Sequence, residues 1–138
     1  MLNNIKQIKK IKLRNLKDEN EVLSFIESEE DIPFKIKRIF YITGISKDRI
    51  RGKHAHRQCS QFLISIKGSI NVNCEDGNKK YVYKLNNPYE GLFIPPLIWS
   101  EQTYQSEESI LLALCDYEYD ENEYIRDYDS FIKETNYT

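Results

Sequence analysis

The sequence predicts an all-β fold, an antiparallel sandwich or barrel that ends in a short helix. Short segments rich in β-branched and aromatic residues recur along most of the chain, and turn signals separate them about every 8–12 residues. Helical spacing of apolar residues is confined to the C-terminal end. With 138 residues, 40% of them hydrophobic, the chain is predicted to form one globular domain, residues 1–138, with a core of its own.

The first third of the chain predicts two strands and a less regular segment. Residues 5–13 alternate isoleucine with lysine, which favours a strand. Residues 21–27 are predicted as a short helix or turn, and Pro33 then disfavours helix at the residue before it. Residues 35–43 are dominated by β-branched and aromatic side chains and predict a strand.

The middle of the chain predicts a run of short strands. Asp76-Gly77 is the strongest hairpin signal, because this dipeptide suits a tight two-residue turn. The predicted strands are residues 61–67, 70–74, 80–85, 91–94, 98–104 and 109–116. Residues 120–133 have apolar side chains at helical spacing, so a terminal helix or turn is expected there.

Charge and cysteine content indicate which partners and which cellular compartment to expect. The net charge of −2 gives no indication of nucleic acid or a membrane surface as partner. Residues 116–138 carry eight acids against two bases, which predicts a solvated segment. Cys59, Cys74 and Cys115 are an odd number at unrelated spacings, and no signal peptide or apolar span is evident. A reducing cytoplasm is therefore expected.

His54 and His56 are the two histidines of the chain. A strand turns alternate side chains to the same face, so both imidazoles are expected on one face with Ala55 on the other. Two imidazoles that converge on one cavity serve either as metal ligands or as proton-transfer groups. The third possibility is that both histidines lie in the core with their hydrogen bonds made and have no function.

The spacing around this pair resembles the first motif of the cupins, in which His-x-His is followed by a glutamate and then a glycine. Here the corresponding residues are His54, His56, Gln61 and Gly68. Gln61 replaces the glutamate of metal-binding cupins, and the second motif, GLFIPPLIWS at residues 91–100, carries no histidine. Two histidines and a neutral amide are a poor ligand set, which favours acid–base chemistry over a metal.

Three longer strings make the resemblance more specific: RGKHAH at residues 51–56, GLFIPPLIW at 91–99 and YDENEYIRDYDSF at 119–131. Together they are similar to the nucleotide-sugar 3,4-ketoisomerases of the cupin superfamily. The resemblance implies a cupin-like antiparallel β-barrel, or jelly roll, that is metal-free and forms a homodimer. It also implies TDP-4-keto-6-deoxy-D-glucose as substrate, proton removal at C3, an enediol(ate), and proton return at C4.

Such a shift of a carbonyl needs no cofactor, because no net oxidation takes place. The family further implies a 3-keto product for an aminotransferase, in the biosynthesis of a deoxy amino sugar for lipopolysaccharide or another surface glycan. His54 and His56 are the predicted proton-transfer pair, in an order that the sequence leaves open. Tyr41 resembles a family tyrosine near the sugar, and an ordinary barrel aromatic is an equally good interpretation.

Four further residues are predicted to bind the substrate. Arg51 is expected at the diphosphate, because a guanidinium matches phosphate oxygens with several donors; a surface arginine is the alternative. Gln61 is expected to hold a histidine or the sugar. Trp99 is predicted to stack on the nucleotide or to lie in the core, and Arg126 to be a second anchor or to pair with Asp127 or Asp129.

The chain also departs from the family pattern. Residues 18–21, DENE, stand where many members carry Asp-x-Arg-Gly, and Ser100 stands where relatives often carry histidine. These departures leave the C4 configuration of the product open. Three alternatives also stay open: an epimerase that exchanges protons at C3 and C5, a cupin that binds a sugar nucleotide without catalysis, and a metal-dependent cupin enzyme such as an oxygenase.

Overall fold

The computed structural model describes residues 4–136. Among them, twelve strands precede a single α-helix, α1 (Tyr128–Thr135), and two short 3-10 helices occupy Asn4–Gln7 and Glu121–Glu123. The strands are β1 (Lys9–Lys12), β2 (Arg14–Asp18), β3 (Glu21–Phe25), β4 (Arg38–Ile42), β5 (Ile50–His56), β6 (Gln61–Lys67), β7 (Ile70–Glu75), β8 (Lys80–Leu85), β9 (Glu90–Ile94), β10 (Trp99–Tyr104), β11 (Ile110–Cys115) and β12 (Tyr124–Ile125).

Two five-stranded antiparallel sheets form the body of the protein. The first sheet has the order β1-β9-β6-β11-β4, and the second has the order β12-β5-β10-β7-β8. Apolar side chains from both sheets share one core cluster, to which the first contributes Leu63 and Leu111 and the second contributes Val72 and Tyr104. The prediction of an antiparallel β fold with a short C-terminal helix is confirmed.

The N-terminal third differs from its prediction in two places. Residues 21–27, predicted as a helix or turn, begin with strand β3, which pairs with β2 as an isolated hairpin. The spacing of apolar residues did not determine the secondary structure of this segment, and pairing with the neighbouring strand does. Residues 5–13, predicted as one strand, start in a 3-10 helix and continue into β1, which pairs with β9 of the same chain.

The C-terminal segment is less solvated than its charge predicts. The helix α1 begins after Asp127, whose carboxylate accepts a hydrogen bond of 3.0 Å from the Ser130 backbone and so caps the helix. Phe131 of α1 is fully buried against Trp99. Upstream of the helix, Glu123 is buried despite its charge. The prediction of a solvated segment is therefore wrong for this residue.

None of the helices within residues 4–136 has the length and apolar character needed to cross a membrane.

Candidate active site

A cavity of about 430 Å³ opens between the two sheets, and β5 forms one of its walls. Apolar side chains of β4 line another part, and polar and charged groups converge from β5, β6, β10 and the C-terminal segment. The lining residues are Phe40, Ile42, Arg49, Ile50, Arg51, Gly52, Lys53, His54, Gln61, Gln102, Tyr124 and Arg126. The cavity therefore combines an imidazole with four cationic side chains.

A β-bulge in β5 explains how both Arg51 and His54 line this cavity. Three residue steps in β5, from Arg51 to His54, oppose only two in β10, from Gln102 to Ser100. The bulge includes Gly52, which has a φ of +70°, a conformation that glycine adopts without strain. A Cβ at Gly52 would lie 2.9 Å from Nε2 of Gln102, so the close strand approach also requires glycine.

The two imidazoles lie together but at different depths. Their ring centroids are 4.9 Å apart and the planes are nearly perpendicular, at 89°. His54 lines the cavity, whereas His56 is only 6% exposed. The ring of Tyr124 contacts both, with centroid distances of 5.0 Å to His54 and 4.5 Å to His56. His54 is thus the imidazole that a ligand in the cavity would meet.

The environment of His54 keeps its imidazole neutral. Burial lowers its pKa from 6.5 to about 3, and the nearby His56 and Arg126 act in the same direction. A neutral imidazole has a free lone pair and one N–H, so it can accept one proton and donate another. The side chain is therefore in the correct state for a general base at neutral pH.

We expect this shift to make folding stability depend on pH. Below about pH 6.5 the unfolded chain binds a proton at His54, and the folded chain does not. The free energy of unfolding is therefore highest above that pH and decreases as the pH falls toward 3. Between about pH 7 and about pH 5.5, the free energy of unfolding should fall by about 1 kcal/mol more in the wild type than in His54→Asn. Urea titrations at both pH values measure this difference, and parallel losses in the two proteins would contradict it.

A buried carboxylate holds His56. Nδ1 of the imidazole lies 2.7 Å from Oε1 of Glu123, and the backbone N–H of Gln58 donates to Oε2. Burial alone would raise the pKa of Glu123, but these hydrogen bonds outweigh it and the pKa is lowered. The other ring nitrogen, Nε2 of His56, is buried without a hydrogen-bond partner among the described residues.

His56, Cys59 and Glu123 form a buried group whose possible metal-ligating atoms all lie within 4.8 Å of one another. Nitrogen, sulfur and carboxylate oxygen are donor types that zinc accepts. Here, however, Glu123 already accepts hydrogen bonds at both oxygens, and the Cys59 thiol donates to the Ser60 carbonyl. A cation at this position would have to replace these bonds, and Gln61, the predicted substitute for a metal ligand, lies outside the group.

The cationic side chains of the cavity differ in how they are held. Arg126 donates to both oxygens of Glu121, at 2.5 and 3.0 Å, and stacks 4.4 Å above the ring of Tyr124. Its carboxylate partner is thus Glu121 and not one of the two aspartates considered from the sequence. Arg51 has no ion pair within residues 4–136, so its guanidinium is available to an anionic ligand.

Gln61 lines the cavity from β6 and is buried. Its Nε2 donates to Sγ of Cys115 at 3.5 Å, and Nη2 of Arg38 lies 3.6 Å from the same sulfur. The neighbouring Cys59 thiol lowers the pKa of Cys115 to about 6, and the Gln61 and Arg38 donors contribute against the opposing effect of burial. Gln61 is therefore held by the sulfur and is not hydrogen-bonded to a histidine.

Two predicted site residues lie outside the cavity. Tyr41 is 70% exposed, while its neighbours on β4, Phe40 and Ile42, line the cavity. Alternation along the strand therefore turns the tyrosine to the outer face, away from this cavity. Trp99 lies beneath α1, and its indole N–H donates to Glu101 at 3.1 Å. It packs in a core cluster with Ala55, Ile125 and Phe131, and the core was the alternative to stacking on the nucleotide.

Several residues at the site had no predicted role, among them Phe40, Glu123 and Tyr124. Phe40 replaces Tyr41 as the β4 aromatic that faces the cavity. Glu123 and Tyr124 come from the acidic C-terminal segment, where β12 pairs with β5 and sets Tyr124 opposite His56. The only sequence signal for them is their place in the string YDENEYIRDYDSF, which carried the family resemblance.

Comparisons with known proteins identify the family of the chain. Residues 6–136 match the family described as FdtA: WxcM-like, C-terminal. A TDP-4-oxo-6-deoxy-alpha-D-glucose-3,4-oxoisomerase from Aneurinibacillus thermoaerophilus is 37% identical over 125 residues, which cover 91% of this chain and 90% of that protein.

Solved structures give the same result. QdtA, a sugar 3,4-ketoisomerase from Thermoanaerobacterium thermosaccharolyticum in complex with TDP, is 40% identical with a TM-score of 0.90, over 98% of this chain and 96% of that one. A histidine-to-asparagine mutant of QdtA, in complex with TDP-4-keto-6-deoxyglucose, matches over the same shares with a TM-score of 0.90 and 39% identity. The resemblance to the 3,4-ketoisomerases is confirmed, and the chain belongs to the FdtA, WxcM-like family.

Proposed function

We propose that this protein is an isomerase that converts TDP-4-keto-6-deoxy-D-glucose into a TDP-3-keto-6-deoxyhexose. The names of its relatives describe this class of reaction. The observation that carries the proposal is the neutral imidazole of His54 on the wall of a cavity that also presents Arg51 and Arg126. A general base beside cationic groups is what removal of a proton next to a carbonyl requires.

The chemistry follows from the position of the carbonyl. The hydrogen on C3 is acidic because it is adjacent to the C4 ketone, and His54 accepts it as a proton. The electron pair of the C3–H bond forms the C3–C4 double bond of an enediolate, whose negative charge is on oxygen. The proton of the C3 hydroxyl moves to the oxygen on C4, and return of a proton to C4 then leaves the ketone at C3 and a hydroxyl at C4. Atoms and electrons balance within the sugar, so no cofactor is consumed.

Cationic side chains bind the two negatively charged parts of the reacting molecule. Arg51 has a planar guanidinium without an ion pair among residues 4–136, and it suits the diphosphate, which offers paired acceptor oxygens. Arg126, held by Glu121, lies against Tyr124 beside the histidines and suits the oxyanion of the intermediate. Gln61 offers its carbonyl oxygen to a sugar hydroxyl while its amide contacts Cys115.

The position of the carbonyl tests this function directly. Incubation of the protein with the substrate should move the ketone signal from C4 to C3 in carbon NMR spectra. Retention of the 4-keto sugar with inverted C3 and C5 centres would support the epimerase alternative instead. Tight binding of TDP with an unchanged sugar would support the non-catalytic alternative.

We further propose that the protein works as a homodimer. Among residues 4–136 the strands β2 and β3 pair with each other and with no further strand, and their directly opposed Leu16 and Leu23 are 65% and 59% exposed. The edge strand β4 presents Ile39 and Tyr41, which are 59% and 70% exposed. Exposed apolar side chains on an unpaired hairpin and an edge strand are usually covered by another subunit.

We expect the double substitution Leu16→Asp, Leu23→Asp to convert a dimer into monomers, because two charges would replace the apolar contact. Sedimentation equilibrium measures the mass, with Lys17→Ser on the same hairpin as control. A dimer in the double variant, or a monomeric wild type, would contradict this assignment.

A reducing compartment such as the cytoplasm fits the cysteines. Cys59, Cys74 and Cys115 are all buried and unpaired, as is usual where thiols stay reduced.

A further inference from the structure

The hydrogen bond between His56 and Glu123 lies beneath the cavity, where both residues are almost completely buried, at 6% and 9% exposure. Pairing of β12 with β5 brings the C-terminal segment to the histidines. We propose that Glu123 is a positioning residue of this site, whose carboxylate fixes the tautomer of His56 and leaves Nε2 of that imidazole as a proton acceptor beside His54.

The tautomer follows from the hydrogen bonds. A carboxylate can only accept, so the hydrogen between Glu123 and His56 belongs to Nδ1. When the imidazole is neutral, this is its single hydrogen, and Nε2 then has a lone pair. No described residue donates to this nitrogen, although burying an unpaired polar atom is unfavourable. An unsatisfied acceptor next to the imidazole that faces the cavity points to a role in moving protons.

This role rests on the proposed isomerase function. When His54 receives the C3 proton at one nitrogen, its other nitrogen can pass a proton to Nε2 of His56. His56 then carries hydrogen on both nitrogens, and its positive charge lies 2.7 Å from the Glu123 carboxylate. The reverse transfer supplies the proton for C4, and both histidines return to their initial state. The carboxylate thus stabilises the charged intermediate through His56, without contact to the sugar.

Glu123→Gln reverses the tautomer with little change of shape. The backbone N–H of Gln58 requires an acceptor at Oε2, so the amide oxygen stays on that side. The amide nitrogen then faces Nδ1 of His56 and must donate to it. The hydrogen of His56 consequently moves to Nε2, which becomes a donor and loses its acceptor function.

Nitrogen NMR of protein labelled at histidine measures the tautomer directly and needs no substrate. The chain has two histidines, so the His54→Asn variant assigns the His56 signals. We expect hydrogen on Nδ1 in the wild type and in Glu123→Asp, and on Nε2 in Glu123→Gln. We also expect kcat to fall about tenfold in Glu123→Gln, the scale of a hydrogen bond to a charged group, with an unchanged Kd for TDP.

Glu118→Gln, on an exposed residue of the same segment, is the matched control and should leave both readouts unchanged. Hydrogen on Nε2 in the wild type would overturn the inference, as would an unaltered kcat in a folded Glu123→Gln variant whose tautomer has reversed. If Glu123→Gln does not fold, two other measurements test the inference. Hydrogen on Nδ1 of His56 in the wild type, and the same tautomer with a near-normal kcat in Glu123→Asp, would support it. A protein with the expected tautomer but no turnover would refute the proposed function and leave the tautomer assignment intact.

Discussion

Replacing His54 with asparagine should lower kcat for TDP-4-keto-6-deoxyglucose by at least about 10²-fold, the usual contribution of a general acid–base residue. His54 is the imidazole that lines the cavity, and burial lowers its pKa to about 3, so it is an unprotonated base across the neutral range. Asparagine has a similar size and can hydrogen-bond to a sugar oxygen, but it does not accept a proton from carbon. The loss should therefore appear in kcat and leave TDP binding nearly unchanged.

Steady-state rates and the Kd for TDP separate these two effects. Lys79→Asn, which introduces the same amide on the exposed turn between β7 and β8, is a control for handling and expression. A wild-type kcat in His54→Asn would show that another group removes the proton. A loss of TDP binding equal to the loss of rate would show that His54 binds the substrate and does not act as a base.

The second large effect is expected at Arg51. Arg51→Gln should lower kcat/KM by about 10–150-fold, because hydrogen bonds to charged groups contribute about 1.5–3 kcal/mol. The guanidinium lines the cavity without an ion pair in the described part of the chain, so the substrate diphosphate is its expected partner. Most of the loss should appear in KM, since the diphosphate is bound equally in the ground state and the transition state.

Thymidine, which lacks phosphates, distinguishes this role from a general effect on the cavity. Calorimetry should show weaker TDP binding by Arg51→Gln and an unchanged affinity for thymidine. Lys35→Gln removes one positive charge at an exposed position outside the cavity and should affect neither ligand. Equal weakening of TDP and thymidine, or no weakening at all, would rule out the diphosphate contact.

Much of the fold could be predicted because its strands carry strong local signals. The Asp76-Gly77 turn between β7 and β8 specifies the pairing of two strands that are neighbours in the sequence. The β2–β3 hairpin was missed because its residues pack on few others, and exposed leucines such as Leu23 hide the alternation that a buried face produces.

The site was predictable only in part, because the face of the sheet on which a side chain lies depends on the strand register. Strand alternation was sufficient to group His54 with His56, but it did not determine which of Phe40 and Tyr41 faces inward. The bulge at Gly52 reverses the alternation within β5, which local pattern does not reveal. Glu123 was beyond prediction for another reason: 67 residues separate it from His56, and only the pairing of β12 with β5 brings them together.

Isotope exchange tests the central claim most directly. The substrate is incubated with the wild-type protein in deuterium oxide, and the recovered sugars are analysed for deuterium at each carbon. In the proposed mechanism a histidine moves a proton between C3 and C4, and its own hydrogens exchange with solvent. We therefore expect deuterium at C4 of the 3-keto product and at C3 of returned substrate, and none at C5. Recovered sugar without deuterium at C3 or C4, or with deuterium at C5, would contradict the mechanism.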